Sequence, residues 1–435
     1  MKPNSVLIKN AGWIVTQNSK REILSNKSIY IEGNRIVEVG NPKSEADFIL
    51  EADHKIVLPG LMNCHTHSPM TLLRGYSDDK SLEEWWFKDI YPVESKFKSK
   101  HIYYGSLLAC IEMIKFGCTY FADFYYFLDQ IAKAVNEAGI RCNLGQGILD
   151  VETFEFPSKK IAFLIAKRMV RKWRKKGRIK ASIAPHMFQT TSPETYEECA
   201  EIVRKYNVLL QTHVCESKKE VEFALKNYEK RPVDLLEECG CLSDKTIAVH
   251  CNWVSGDDIK KFSKYDVKVV HCPVSNMKLG EGKIMPLKDM IRQNLTIGLG
   301  TDGCASNNSL DLFEEMKTCS LLHKSHLNDP TAMPAQKMLD LVTVDAAKVL
   351  HEEDLGSIEE GNKADLILID TRKPHLQPIH RKHTVLSNLV YSAKGQDVSD
   401  VICDGKLLME DGRITTLNEE EVYEKVRRIL LELFR

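Results

Sequence analysis

The chain has 435 residues, 43% hydrophobic and 28% charged, a globular composition with more length than one ordinary core needs. Lys plus Arg (60) and Asp plus Glu (61) nearly cancel. No global field therefore draws nucleic acid or anionic lipid, and a small-molecule substrate is expected. No stretch of about 18 apolar residues suggests a membrane span, and MKPNSVLIKNAGW lacks the apolar core of a signal peptide. The 13 cysteines contain no CxxC pair and read as reduced thiols of a cytoplasmic protein.

In chain order, the β-rich runs SVLIKNAGWIVTQ and SIYIEGNRIVEVG come first. Similar runs close the sequence: ADLILID at 364–370, then VICDGKLLMEDGRIT, where Asp404-Gly405 and Asp411-Gly412 read as hairpin turns. Neither end alone can bury a core, so they are expected to pair. Between them, strand candidates recur at 56–65, 119–125, 141–149, 179–186, 208–216, 246–251, 267–273 and 295–303, most separated by helical patterns. Ser192 and Pro193 suit the cap and first turn of one such helix. The expected fold is α/β: a (β/α)8 TIM-type barrel over 57–363, with a small β-sandwich domain from both chain termini, 1–56 plus 364–435. Periodicity alone does not exclude a doubly wound sheet.

Polar residues at the strand ends strengthen the barrel reading. His65 and His67 follow the first strand, His186 the fourth, His213 and Glu216 the fifth, His250 the sixth and Asp302 the eighth. Such ends converge on one mouth, where reactive groups collect. Residues i and i+2 of a strand share a face, so His65 and His67 can aim at one point with Thr66 turned outward. An isolated HxH is weak evidence; His213 and Asp302 from other strand ends make it a candidate metal clamp. Three imidazole nitrogens and a carboxylate suit one zinc ion per subunit, with ferrous iron the alternative. Cys64, Cys215 and Cys251 adjoin these histidines, and their commoner role is buried packing.

PGLMNCHTHSPMTLLRG, QTHVCES, AVHCNW, HCPVSNMKLG and LGTDGCASNNSL together resemble the metal-dependent aminohydrolase branch of the amidohydrolase superfamily. Within it the likeness is to the 5'-methylthioadenosine/S-adenosylhomocysteine deaminases, including archaeal 5'-deoxyadenosine deaminases, and it runs nearly end to end. The resemblance implies that His65, His67, His213 and Asp302 hold one metal, that Glu216 shuttles protons, and that His250 orients the water or the developing oxyanion. Asp302 would assist the second proton transfer. Glu94, in DIYPVESKF after EEWWF, matches a glutamate that contacts ribose hydroxyls, and His186 matches a second substrate-contacting position; Glu216 and Asp302 also face the substrate in this reading. The tryptophans of EEWWF read as core residues.

The implied substrate is a small nucleoside of the adenosine type, and the implied assembly is a homo-oligomer, with a tetramer in view. Gln146 stands where bacterial members carry an arginine for the substrate's tail, which argues against a charged amino-acid tail. Rival readings are a guanine- or triazine-type aminohydrolase or chlorohydrolase, which Glu94 disfavours, and a metal-free scaffold, which the intact ligand set disfavours. The basic run KRMVRKWRKKGRIK at 167–180 reads as the solvated face of a helix.

Overall fold

The structure is a computed structural model that describes residues 4–82, 84–173 and 177–434. Eight parallel strands form the central sheet: Leu61–Thr66, Cys118–Tyr125, Arg141–Ile148, Ile179–Pro185, Leu210–Val214, Thr246–His250, Lys268–His271 and Ile297–Leu299. They pair in sequence order. Cys118–Tyr125 and Arg141–Ile148 are buried at every position. That is why these strands read as near-continuous apolar runs rather than alternating ones: helices cover one face and the barrel interior the other.

The first and eighth strands meet through Asn63 and the residues after Leu299. Asn63 Oδ1 accepts from the Thr301 amide (3.1 Å), its Nδ2 donates to Thr301 Oγ1 (2.7 Å), and the Asp302 amide donates to the His65 carbonyl (3.0 Å). Gly300 makes this closure possible, since a Cβ there would sit 2.9 Å from the His65 backbone.

The run read as one strand at 56–65 is two strands. Lys55–Pro59 pairs with the N-terminal strand Ser5–Val15 and with Leu366–Asp370, while Leu61–Thr66 enters the barrel. The break is at Gly60, where a Cβ would collide with the Thr119 side chain at 2.2 Å. The barrel therefore begins after Gly60 rather than at 57.

Nine strands from both termini form the separate mixed sheet. Its core includes Val6, Ile8, Ile29, Ile31, Val57, Leu366, Leu368 and Ile402. Asp404-Gly405 and Asp411-Gly412 close two-residue hairpins with positive φ at both positions, as their sequence suggested. The C-terminal portion is not all β. Helix Lys382–Tyr391 packs on the barrel helices Leu312–Leu327 and Ala335–Val342, and helix Glu419–Leu433 packs on Ser99–Lys115.

Arg141 ties the two units together. Its guanidinium, 3% exposed, forks onto Asp365 at 2.8 and 3.0 Å and reaches Asp404 at 2.8 Å. Ser192 does precede helix Pro193–Tyr206, but its hydroxyl bonds the Thr195 side chain rather than a backbone amide. In the basic run, Arg168 and Lys172 pair with Asp129 on the exposed helix face, and residues 174–176 lie outside the described set. Among the described residues no helix is long and apolar enough to cross a membrane.

Candidate active site

Five strand ends deliver their polar residues to one mouth. His65 Nε2 lies 3.3 Å from His213 Nε2 and 3.7 Å from Asp302 Oδ1, and His67 Nε2 lies 3.2 Å from the same oxygen. The ligand atoms of His65, His67 and His213 fall within 4.8 Å of one another. His67 Nδ1 donates to the Phe124 carbonyl (2.6 Å) and His213 Nδ1 to the His186 carbonyl (3.2 Å). A carbonyl only accepts, so each Nδ1 carries a proton and each Nε2 faces inward.

Asp302 Oδ2 accepts from Ser275 Oγ (2.6 Å) and Ser306 Oγ (3.0 Å), which turns Oδ1 toward the imidazoles. Thr66 is not turned out to solvent; it is buried and donates to the Asp302 carbonyl at 3.0 Å. Asp302 itself adopts φ +61°, a strained conformation for a non-glycine residue that this bonding holds.

The electrostatics couple the imidazoles to the buried carboxylate. Burial would depress the His67 imidazole, but the adjacent Asp302 outweighs it and holds His67 at about 9. Burial would raise Asp302, yet His67 keeps it well below the carboxylate range. Burial, then the neighbouring imidazoles, hold His213 well below its usual value, and burial does the same to His65. Imidazole nitrogens converging on a buried carboxylate, those of His65 and His213 unprotonated and that of His67 able to give up its proton as a cation binds, fit a divalent cation. Cys64, Cys215 and Cys251 are buried, and none joins this ligand cluster.

Glu216 is 6% exposed, and its Oε1 lies 3.7 Å from His250 Nε2. Burial, reinforced by Asp302 and Glu220, raises its pKa well above the usual range. Glu220 was not singled out from the sequence, although Ser217-x-x-Glu220 is a legible capping pattern. Its carboxylate accepts from the Cys215 and Glu216 amides at 3.0 and 2.8 Å, while Ser217 Oγ accepts from the Glu220 amide. This cap fixes the turn that presents Glu216.

His250 is oriented by two asparagines that sequence reasoning left without a role. Asn252 Nδ2 donates to the Glu216 carbonyl (3.1 Å), so its Oδ1 is the atom facing Asn276. Asn276 Nδ2 donates to that oxygen (2.9 Å), which leaves Asn276 Oδ1 facing His250 Nδ1 at 2.8 Å. The accept-only carbonyl thus sets every orientation in the chain and puts the proton on His250 Nδ1. Nε2 is bare and faces the reaction space.

The pocket above this cluster is lined by His67, Glu94, His186, His213, Glu216, His250 and Asp302 together with Trp85, Trp86, Phe87, Phe124 and Tyr125. It encloses about 1100 Å³ including its open mouth. Glu94 does not pair with Lys96 or Lys98. It is 2% exposed, accepts from the Tyr125 hydroxyl, and burial pushes it up to about 7. His186 Nδ1 meets Thr190 Oγ1 at 2.8 Å, and its ring stacks with Trp86 at 6.3 Å.

The tryptophans read as core therefore have a second role: Trp85 is buried with its indole N–H on the Ala305 carbonyl, and both border the pocket. Gln146, which stands where an arginine is expected in bacterial members, does not border it: its buried amide donates to Glu155 (2.9 Å).

A model of the amidohydrolase family matches residues 56–408. The chain is 43% identical over 431 residues to a 5'-deoxyadenosine deaminase of Methanosarcina acetivorans, covering 98% of each. It is 39% identical over 429 residues to a 5-methylthioadenosine/S-adenosylhomocysteine deaminase of Thermoanaerobacter pseudethanolicus, again covering 98% of each. A solved adenosine deaminase from Xanthomonas campestris, with bound zinc, matches with a TM-score of 0.95 at 31% identity over 98% of both chains. An atrazine chlorohydrolase from Arthrobacter aurescens, at 21% identity and a TM-score of 0.90 over 98% of this chain and all of its own, shares the fold. By sequence and by fold, this chain belongs to the amidohydrolase family.

Proposed function

We propose that the protein hydrolytically deaminates adenosine-type nucleosides, giving the 6-oxo analogue and ammonia. The observation that carries the reading is the buried meeting of His65, His67, His213 and Asp302 beside Glu216, under a pocket whose far wall holds the buried carboxylate Glu94. Full-length identity of 43% to a 5'-deoxyadenosine deaminase supports the substrate class.

His65, His67, His213 and Asp302 would hold the cation, which we take to be zinc because the similar adenosine deaminase structure carries it. When bound there, a divalent cation supplies Lewis acidity that lowers the pKa of a water from 15.7 to about 7. Glu216 takes the water's proton and delivers it to N1 of the adenine ring as oxygen adds to C6. Its raised pKa suits it to hold that proton. His250 accepts a hydrogen bond from the water at Nε2 and so orients it for addition to C6. Asp302 assists the second transfer, and the 6-amino group leaves as ammonia once protonated.

Glu94 accepts from the ribose hydroxyls, and His186 closes the base-binding wall with Trp86. Among the described residues lining the pocket there is no lysine or arginine. An amino-acid tail finds no cation there, so 5'-deoxyadenosine, 5'-methylthioadenosine and adenosine are preferred over S-adenosylhomocysteine.

Ultraviolet spectroscopy of the zinc-loaded protein with these four nucleosides, guanine and a triazine tests the proposal. Conversion of adenine to hypoxanthine is expected, with kcat about 10²–10⁴-fold lower in Glu216→Gln. No turnover of any adenosine, or faster turnover of guanine or the triazine, would refute it.

A further inference from the structure

A second cluster of ligand-type side chains shares no residue with the first. His271 ends the seventh barrel strand, and Cys319 and His323 lie one turn apart on helix Leu312–Leu327. Their spacing of four puts both on one helix face. All three are buried, and their ligand atoms lie within 4.8 Å of one another.

The distances have the dimensions of a coordination shell. Two imidazole nitrogens, each about 2.0–2.1 Å from a tetrahedral cation, are separated by about 3.3 Å. His271 Nε2 and His323 Nε2 are 3.3 Å apart, the same spacing as His65 Nε2 and His213 Nε2 in the first cluster. One ring can donate to the other across this distance, but that single proton leaves the remaining ligand atoms of the cluster unused. Among the described residues His271 Nδ1 is buried without a partner, and Cys319 is a free, buried thiol. Burial holds His323 down at about 4 and His271 well below its usual value, so both rings are neutral with a lone pair available. Burial also raises the Cys319 thiol, whose proton would leave as a cation binds.

We propose that His271, Cys319 and His323 form a second, structural site for a zinc-type divalent cation. Two nitrogens and a thiolate are a borderline-soft donor set that favours zinc over magnesium or calcium. A cavity bordered by Asn276, Leu322 and His326 reaches His271, one of the three ligands. The site pins the helix Leu312–Leu327 to the seventh strand. The same helix carries Glu315, which bonds Asn307 and the Val274 amide next to the Ser275 and Ser306 that hold Asp302. The cation's role is thus to stiffen the support of the first cluster rather than to take part in chemistry.

Metal analysis of the whole protein, produced with zinc in the medium and freed of loose metal by gel filtration, decides the matter. Two equivalents per chain are expected in the wild type and one in Cys319→Ala and His323→Ala, with deamination changed less than about twofold. The cobalt-substituted wild type should also show thiolate-to-cobalt charge-transfer absorption, because the first cluster contains no cysteine; this reading stands even if a variant fails to fold. One equivalent in the wild type with no such band, or two equivalents persisting in both variants, would overturn the proposal. An inactive protein that still binds two equivalents would instead count against the proposed reaction alone.

Discussion

Asn276→Ala perturbs the orientation of His250 most directly. Asn276 accepts from His250 Nδ1 at 2.8 Å and donates to Asn252 Oδ1 at 2.9 Å, so truncation removes two of the three links that run from the Glu216 carbonyl. His250 is 1% exposed, and its Nδ1–H would be left without an acceptor. An unsatisfied buried donor costs about 1–3 kcal/mol. The ring can escape that cost only by moving its proton to Nε2, where the bare lone pair is needed.

Either outcome weakens stabilisation of the transition state. At 1.36 kcal/mol per tenfold, kcat should fall about 5- to 150-fold. KM should change little, because neither asparagine borders the pocket. Asn276→Asp keeps an acceptor facing Nδ1 and should recover part of the loss. The assay is the ultraviolet change at the adenine band, run at full metal occupancy. The ¹⁵N shifts of the His250 ring give an independent readout and should report an Nδ1–H tautomer in the wild type. Wild-type kcat in Asn276→Ala, or an Nε2–H tautomer in the wild type, would refute the deduction.

Two further outcomes follow from the geometry. Burial keeps Glu94 protonated up to about pH 7; below that it is neutral and a poorer acceptor for ribose hydroxyls. KM should therefore rise as pH falls below about 7 and level off above it. Glu94→Gln should raise KM about 10- to 150-fold, the worth of a charge-assisted bond of about 1.5–3 kcal/mol, and flatten the profile; an unaltered profile in the variant would reject the assignment. Arg141→Ala strands the carboxylates of Asp365 and Asp404 at the junction of the two units and should cost about 3–5 kcal/mol of stability. A thermal melt should move down by several degrees, and an unchanged melt would show that the junction is held by other contacts.

Much of the site was legible because its residues follow strand-like runs at fixed places. His65 and His67 share a strand face at a spacing of two, and QTHVCE, AVHC and LGTDG each end an apolar run, so a parallel barrel carries them to one mouth whatever the details of packing. Glu94 was legible only through family resemblance: next to Lys96 and Lys98 its sequence surroundings suggest a surface pair, and only the fold buries it against Tyr125. Gln146 lies within the strand read at 141–149, and only the fold shows that its amide turns to Glu155.

The sequence by itself determined the fold class, the polar residues at the strand ends and the hairpin turns, because these rest on periodicities of two and 3.6 residues and on local backbone chemistry. The tertiary structure decided which sheet receives Lys55–Pro59, which way Cys64, Cys215 and Cys251 point, and how Asn252 and Asn276 set the His250 proton. It also brought His271 to Cys319 and His323. The physical reason is common to all of these. A strand shifted by one residue reverses its faces, and a side-chain amide has no fixed partner until a distant carbonyl imposes one, so such choices exist only once the chain has closed on itself.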